Sequence, residues 1–174
     1  MCMLWRTLYL GGLEMVNVKY QFEDFLSEVG EEQKDFVSKI HECLTKENYK
    51  TKIESKKSGL SISYTHPKTK RGMLGFLFHK YALKVRLYAD NFSKYADFIS
   101  QLPEGMENEV KKATKCSRLI DPNACNPKCV GGYDFHIRGN HYQKCRTNCF
   151  LLEINPESIP VLTDFIEYER RERS

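Results

Sequence analysis

Five of the chain's seven cysteines fall between Cys116 and Cys149, in the pattern Cys116-x8-Cys125-x3-Cys129-x15-Cys145-x3-Cys149. Thiols gathered at short spacing, in a chain whose start does not read as an export signal, point to metal binding, most often of zinc. Thiolate ligands suit Zn2+ because four of them close a tetrahedral sphere. An iron–sulfur cluster, a redox-active thiol pair and plain reduced, buried cysteines are the alternatives that the spacing leaves open. Disulfides are not expected in a reducing cytosol.

Between the close pairs runs Val130 to Lys144, with Gly139-Asn140 read as a two-residue hairpin turn. A turn there would set Ile137 against Tyr142, Phe135 against Lys144 and Asp134 against Cys145, and would draw Cys129 toward Cys149. Distant thiols would then converge at the open end of one hairpin, as in a zinc ribbon. Strand geometry limits this picture. Residues four apart in a strand lie about 13 Å apart, whereas thiolates on one zinc sit roughly 3.8 Å from each other. Each Cys-x3-Cys pair must therefore occupy a turn, which Asn126-Pro127-Lys128 and Arg146-Thr147-Asn148 permit. Cys125, Cys129 and Cys145 are the expected fixed ligands, with Cys116 preferred to Cys149 as the fourth.

On this hairpin Asp134, His136, Arg138, His141 and Gln143 would share the face of Cys145, opposite Tyr133, Phe135, Ile137 and Tyr142. A polar face beside an open zinc position could activate water. The plainer reading is a solvent face beside a closed site. No Ser/His/Asp order, His-Glu-x-x-His, phosphate-cradling loop or dinucleotide fingerprint is present. No catalytic or cofactor-binding residue is therefore assigned, and the balance leans away from an enzyme.

The elements that must position these groups are an alternation of helices and strands. Phe36, Val37, Ile40 and Leu44 recur at helical spacing between Glu31 and Lys46, with Cys43 beside them as a small buried hydrophobe. Tyr49, Thr51 and Ile53, then Leu60, Ile62 and Tyr64, then Leu74, Phe76 and Phe78 mark three strands separated by turn chemistry. Leu83, Val85 and Leu87 follow without an obvious turn, so the third strand is expected to continue and bend. Asp90 or Asn91 should cap a helix carrying Phe92, Tyr95, Ala96, Ile99 and Leu102, and a shorter helix carries Met106, Val110 and Ala113. A last strand (Phe150, Leu152, Ile154) leads to a helix capped by Asn155, with Pro156 in its first turn. From Glu167 to Ser174 that helix reads as a solvated, fraying end.

The expected fold is α+β: an antiparallel sheet with helices packed mainly on one face, the other face partly open, and a cysteine-rich zinc-ribbon-like hairpin inserted at 116–149. With 174 residues and a 41% apolar share, a single domain over 15–174 is expected. Residues 1–14 read differently. Gly11-Gly12 lies two codons upstream of Met15, where a bacterial ribosome-binding tract would fall, so 1–14 is expected to be a non-native extension. As a signal peptide the same stretch lacks a basic start, a long apolar run and a small-residue cleavage site.

The formal charge of +4 is modest. A basic loop (His66, Lys68, Lys70, Arg71) could touch phosphate, and an open sheet face with Tyr64, Phe76, Phe78, Tyr81 or Tyr88 could hold a small apolar ligand or single-stranded bases. The reading is a zinc-stabilised, cytoplasmic binding or interaction protein whose partner is a small molecule or a protein, with no membrane partner. A nucleic-acid-binding regulator and a metal- or thiol-dependent enzyme are the alternatives.

Overall fold

The structure is a computed structural model, and it describes residues 19–174. The extension expected at 1–14 lies outside the described residues. Two helices open the fold, α1 (Phe22–Glu28) and α2 (Glu31–Lys46), and α2 buries Phe36, Val37, Ile40 and Leu44 as its apolar stripe requires. Four strands follow as a meander: β1 (Lys50–Lys56), β2 (Gly59–Thr65), β3 (Gly72–His79) and β4 (Ala82–Leu87). A short 3-10 turn (Phe92–Tyr95) leads into α3 (Ala96–Ser100) and then α4 (Glu104–Lys112). The hairpin β5 (Tyr133–Ile137) and β6 (Asn140–Lys144), the strand β7 (Leu151–Glu153) and the helix α5 (Ile159–Arg173) complete the chain.

The main sheet is antiparallel in the order β1-β2-β3-β4-β7. Its register aligns Ile53, Ile62, Phe76, Val85 and Leu152 in one row across all five strands. That row faces the core, where Phe25 of α1 and Phe36 of α2 meet Phe76 at ring distances of 6.4 and 6.1 Å. Because side chains alternate across a strand, the neighbouring row (Lys52, Ser63, Gly75, Arg86, Leu151) faces the other way. The α+β antiparallel architecture expected from the sequence is thus the observed one. Both sheet edges are managed. β1 carries Lys50, Lys52, Glu54 and Lys56 at alternate positions, and the N–H of Glu153 on β7 donates to the Glu109 carboxylate of α4 at 2.8 Å.

Five local expectations are corrected. Between Phe78 and Leu83 the chain does not run on as one bent strand; it turns at Lys80 and Tyr81, both left-handed (φ 51° and 68°). A two-residue hairpin loop of this hand normally carries Asn-Gly, so residue type concealed it. The turn of the β5–β6 hairpin is Arg138-Gly139 (φ 48° and 79°), one residue earlier than expected, so Phe135 faces Tyr142. Each partner moves by two residues, which keeps every side chain on its expected face. The helix α5 starts at Ile159, because Asn155 folds back to accept the Ser158 N–H at 2.8 Å and Pro160, not Pro156, sits in the first turn.

The end of α5 does not fray. Glu169 and Arg173 are 1% and 4% exposed in their side chains and pair at 2.6 Å. The Glu169 carboxylate also accepts the backbone N–H of Asp90 (3.0 Å) and of Asn91 (3.1 Å) and the Tyr95 hydroxyl (2.5 Å). A distant helix therefore supplies the cap expected from Asp90 or Asn91, whose side chains cap nothing at the Phe92–Tyr95 turn.

Candidate functional site

The cysteine-rich segment is anchored first by aromatic burial. Tyr133, Phe135 and Ile137 of β5 are buried, and Tyr133 and Phe135 pack on Phe92 and Phe150 at ring distances of 5.1–5.9 Å. Each such side chain contributes roughly 1.5–3 kcal/mol on burial, so these three anchor the hairpin to the main core. Its outer face carries the expected polar set. Asp134 accepts from His141 (2.6 Å) and Gln143 (2.9 Å), and His136 stacks on His141. The hydrogen bonds from Gln143 and His141 hold the Asp134 carboxyl below the usual carboxylate range.

Backbone bonding brings three of the five cysteines to the open end of this hairpin. The Cys116 N–H donates to Gln143 O (3.1 Å) and the Cys145 N–H to Thr114 O (2.8 Å), lacing the 114–116 segment beside β6. The Cys149 N–H donates to Cys145 O (2.9 Å), so the second Cys-x3-Cys pair occupies a helical turn, as sharing an ion would require. Cys125 and Cys129 sit on the adjoining loop. There a turn closes through Cys129 N–H to Asn126 O (2.9 Å), and Arg118 donates to Asn126 O (3.0 Å). Cys125 is exposed and left-handed (φ 86°), a conformation that costs a non-glycine residue energy.

The side chains do not complete the ribbon. Among the described residues no three Cys, His, Asp or Glu groups are drawn together into a metal-holding set, and the six described cysteines are free thiols. Cys116 and Cys149 are buried, with Cys116 Sγ pressed toward the Cα of Gly132, and burial pushes the Cys149 thiol up. Of the expected ligands Cys125, Cys129 and Cys145, only Cys145 lies at the laced end of the hairpin.

Arg146, between the second pair, carries a role that the sequence reading missed. Its guanidinium turns inward to pair with Asp90 and lies over the Tyr88 and Tyr133 rings at 5.7 and 5.3 Å. Burial, with Arg71 and Arg173 close by, pulls it down to about 10. Arg146 thus ties the cysteine turn to the Asp90–Arg173–Glu169 network. Its position five residues before β7 was the one available signal.

A second feature lies on the outward face of the main sheet. A cleft of about 450 Å3 there is lined by Glu54, Ser61, Ser63, Leu77, Arg86 and Tyr88, with bare backbone at Gly75. Gly75 pairs directly with Arg86 and with Ser63, so a glycine and a serine side by side next to the long arginine leave a recess. Of the aromatics considered for an open face, Tyr64 and Phe76 are buried core; Tyr88 lines the cleft and Tyr81 stands wholly exposed at the β3–β4 turn. His66 of the basic loop is buried, and its Nδ1 accepts the Thr69 N–H at 3.1 Å.

No family model, curated protein or solved structure matches this chain. Among the described residues no helix is long and apolar enough to cross a membrane.

Proposed function

We propose that this protein is a binding module that takes a small molecule in the cleft on the open face of its five-stranded sheet. One observation carries the reading: helices cover the core face of the sheet, while the opposite face is recessed to about 450 Å3 around Arg86 and Tyr88. Ligand pockets commonly measure roughly 300–1,000 Å3, with apolar walls and a few polar groups. Amide spectra recorded against a fragment library test it. Shifts clustering on β2, β3 and β4 are expected, and shifts scattered over the surface would refute it.

In the same reading the segment 116–149 is a structural clip that closes on zinc, with Cys125, Cys129, Cys145 and one of Cys116 or Cys149 as ligands. Support comes from the spacing, from the second Cys-x3-Cys pair lying in one helical turn and from the lacing of Cys116 beside Cys145. The free thiols suit an intracellular setting. Elemental analysis of untagged protein is expected to find about one zinc per chain. Absence of zinc and iron, together with unchanged melting of Cys129→Ser, would remove the clip and leave the cleft reading untouched.

A further inference from the structure

Resting on the cleft as the ligand site, we infer that its ligand is a small molecule with an apolar body and one oxyanion, a carboxylate or a phosphate, gripped by Arg86. Among the described residues Arg86 forms no ion pair, and its Nε is buried without a hydrogen-bond partner. The contrast with the rest of the molecule is the argument. Arg71, Arg138, Arg146, Arg170, Arg171 and Arg173 each meet a carboxylate, and Arg118, which meets none, donates to the Asn126 carbonyl at 3.0 Å. Arg86 as a whole is only partly buried and lines the cleft, so its guanidinium is within reach of an acceptor that enters there. A guanidinium presents paired N–H groups in one plane, the geometry that two oxygens of a carboxylate or phosphate match.

The surroundings fit the same ligand. Charge around the recess is positive on balance, because the one carboxylate lining it, Glu54, is already paired with Lys52 (2.7 Å) and Lys56 (3.1 Å). The Ser61 and Ser63 hydroxyls make long bonds to Glu54 O and Lys52 O (3.2 and 3.4 Å), which an oxyanion could outcompete. Leu77 and the ring of Tyr88 supply apolar walls. Gly72 lets that ring lie down on the sheet, since a Cβ there would stand 3.2 Å from it. The volume suits a ligand of modest size with a single charged end.

The test uses the full chain, labelled with 15N, and four probes: 4-phenylbutyrate, phenyl phosphate, 4-phenylbutan-1-ol and inorganic phosphate. The two oxyanions with a ring are expected to shift the Arg86 Nε–H resonance and the amides of Ser63, Gly75 and Leu77, with about millimolar dissociation constants for fragments this small. The alcohol should bind at least about tenfold more weakly, and Arg86→Gln should cost the oxyanions a similar factor while Arg86→Lys retains part of it. The tighter of the two ring-bearing oxyanions names the head group. Stronger binding of inorganic phosphate than of phenyl phosphate would overturn the apolar body. Equal binding of acid and alcohol, or indifference to Arg86→Gln in a variant with a native amide spectrum, would overturn the oxyanion and leave the cleft standing. Shifts from no probe at any cleft residue would overturn both.

Discussion

Replacing Glu169 with alanine should be among the most damaging single changes in this protein, although the residue sits in a charged helix end. Its carboxylate is 1% exposed and accepts two backbone N–H groups, the Tyr95 hydroxyl and the Arg173 guanidinium. Truncation leaves three buried donors without an acceptor, at about 1–3 kcal/mol each before relaxation. It also strips Arg173 of one of two carboxylates, and breaking a buried pair costs about 3–5 kcal/mol. These overlap, because Arg173 keeps Asp90 at 3.0 Å and the Gly72 carbonyl at 3.0 Å. A loss of about 4 kcal/mol follows, or a melting temperature lower by about 8–16 °C for a chain of this size. Urea unfolding followed by circular dichroism, with the slope unchanged, measures it. Glu172→Ala is the internal control. Its partner Lys94 is 57% exposed, so that pair should be worth no more than about 0.5 kcal/mol. A loss below about 1 kcal/mol for Glu169→Ala would refute the account of this network.

Lys80→Asn with Tyr81→Gly should stabilise the fold by about 1 kcal/mol, because both positions are left-handed and neither native residue favours that conformation; an unchanged urea midpoint would count against the turn geometry. Gly132→Ala should cost about 2–3 kcal/mol, since its Cβ would stand 2.2 Å from Lys144 O and 2.6 Å from Cys116 Cβ. Gly131→Ala, left-handed but in open space, should cost only about 1 kcal/mol in the same assay. Burial first, and then Arg173 and Lys68, hold His66 below its ordinary value. The folded state thus favours neutral His66, whose Nδ1 accepts the Thr69 N–H. This stability is complete above the unfolded value near pH 6.5 and is lost as pH falls from there through the lowered folded value. The urea midpoint should drop between pH 7.5 and pH 5.5, and drop less in His66→Gln; equal drops would refute the assignment.

Much of the architecture was legible where a short-range period dictates burial. The stripe of α2 and the alternation in β2, β3 and β4 follow from side-chain geometry along one element. The hairpin's two faces survived an error in its turn, because parity is insensitive to a shift of two. What was illegible is long-range or conformational. Glu169 and Arg173 belong to the run Glu-Tyr-Glu-Arg-Arg-Glu-Arg, indistinguishable in composition from a solvated end, and their partners lie about eighty residues away. The Lys80-Tyr81 turn uses residues that rarely turn this way. Arg86 reads as one polar position in an alternating strand; only the folded sheet shows that among the described residues its Nε has no hydrogen-bond partner.

The carboxylate of Glu109 reaching over to the Glu153 amide has a bearing on how this protein behaves when concentrated. A five-stranded ribbon ends in two rims, and either could template the next copy into a growing fibre. One rim is only three residues long and has an amide already spoken for; the other bristles with lysines that repel their own kind. Stacking through these rims is therefore disfavoured, and a concentrated solution of this protein should stay free of fibres.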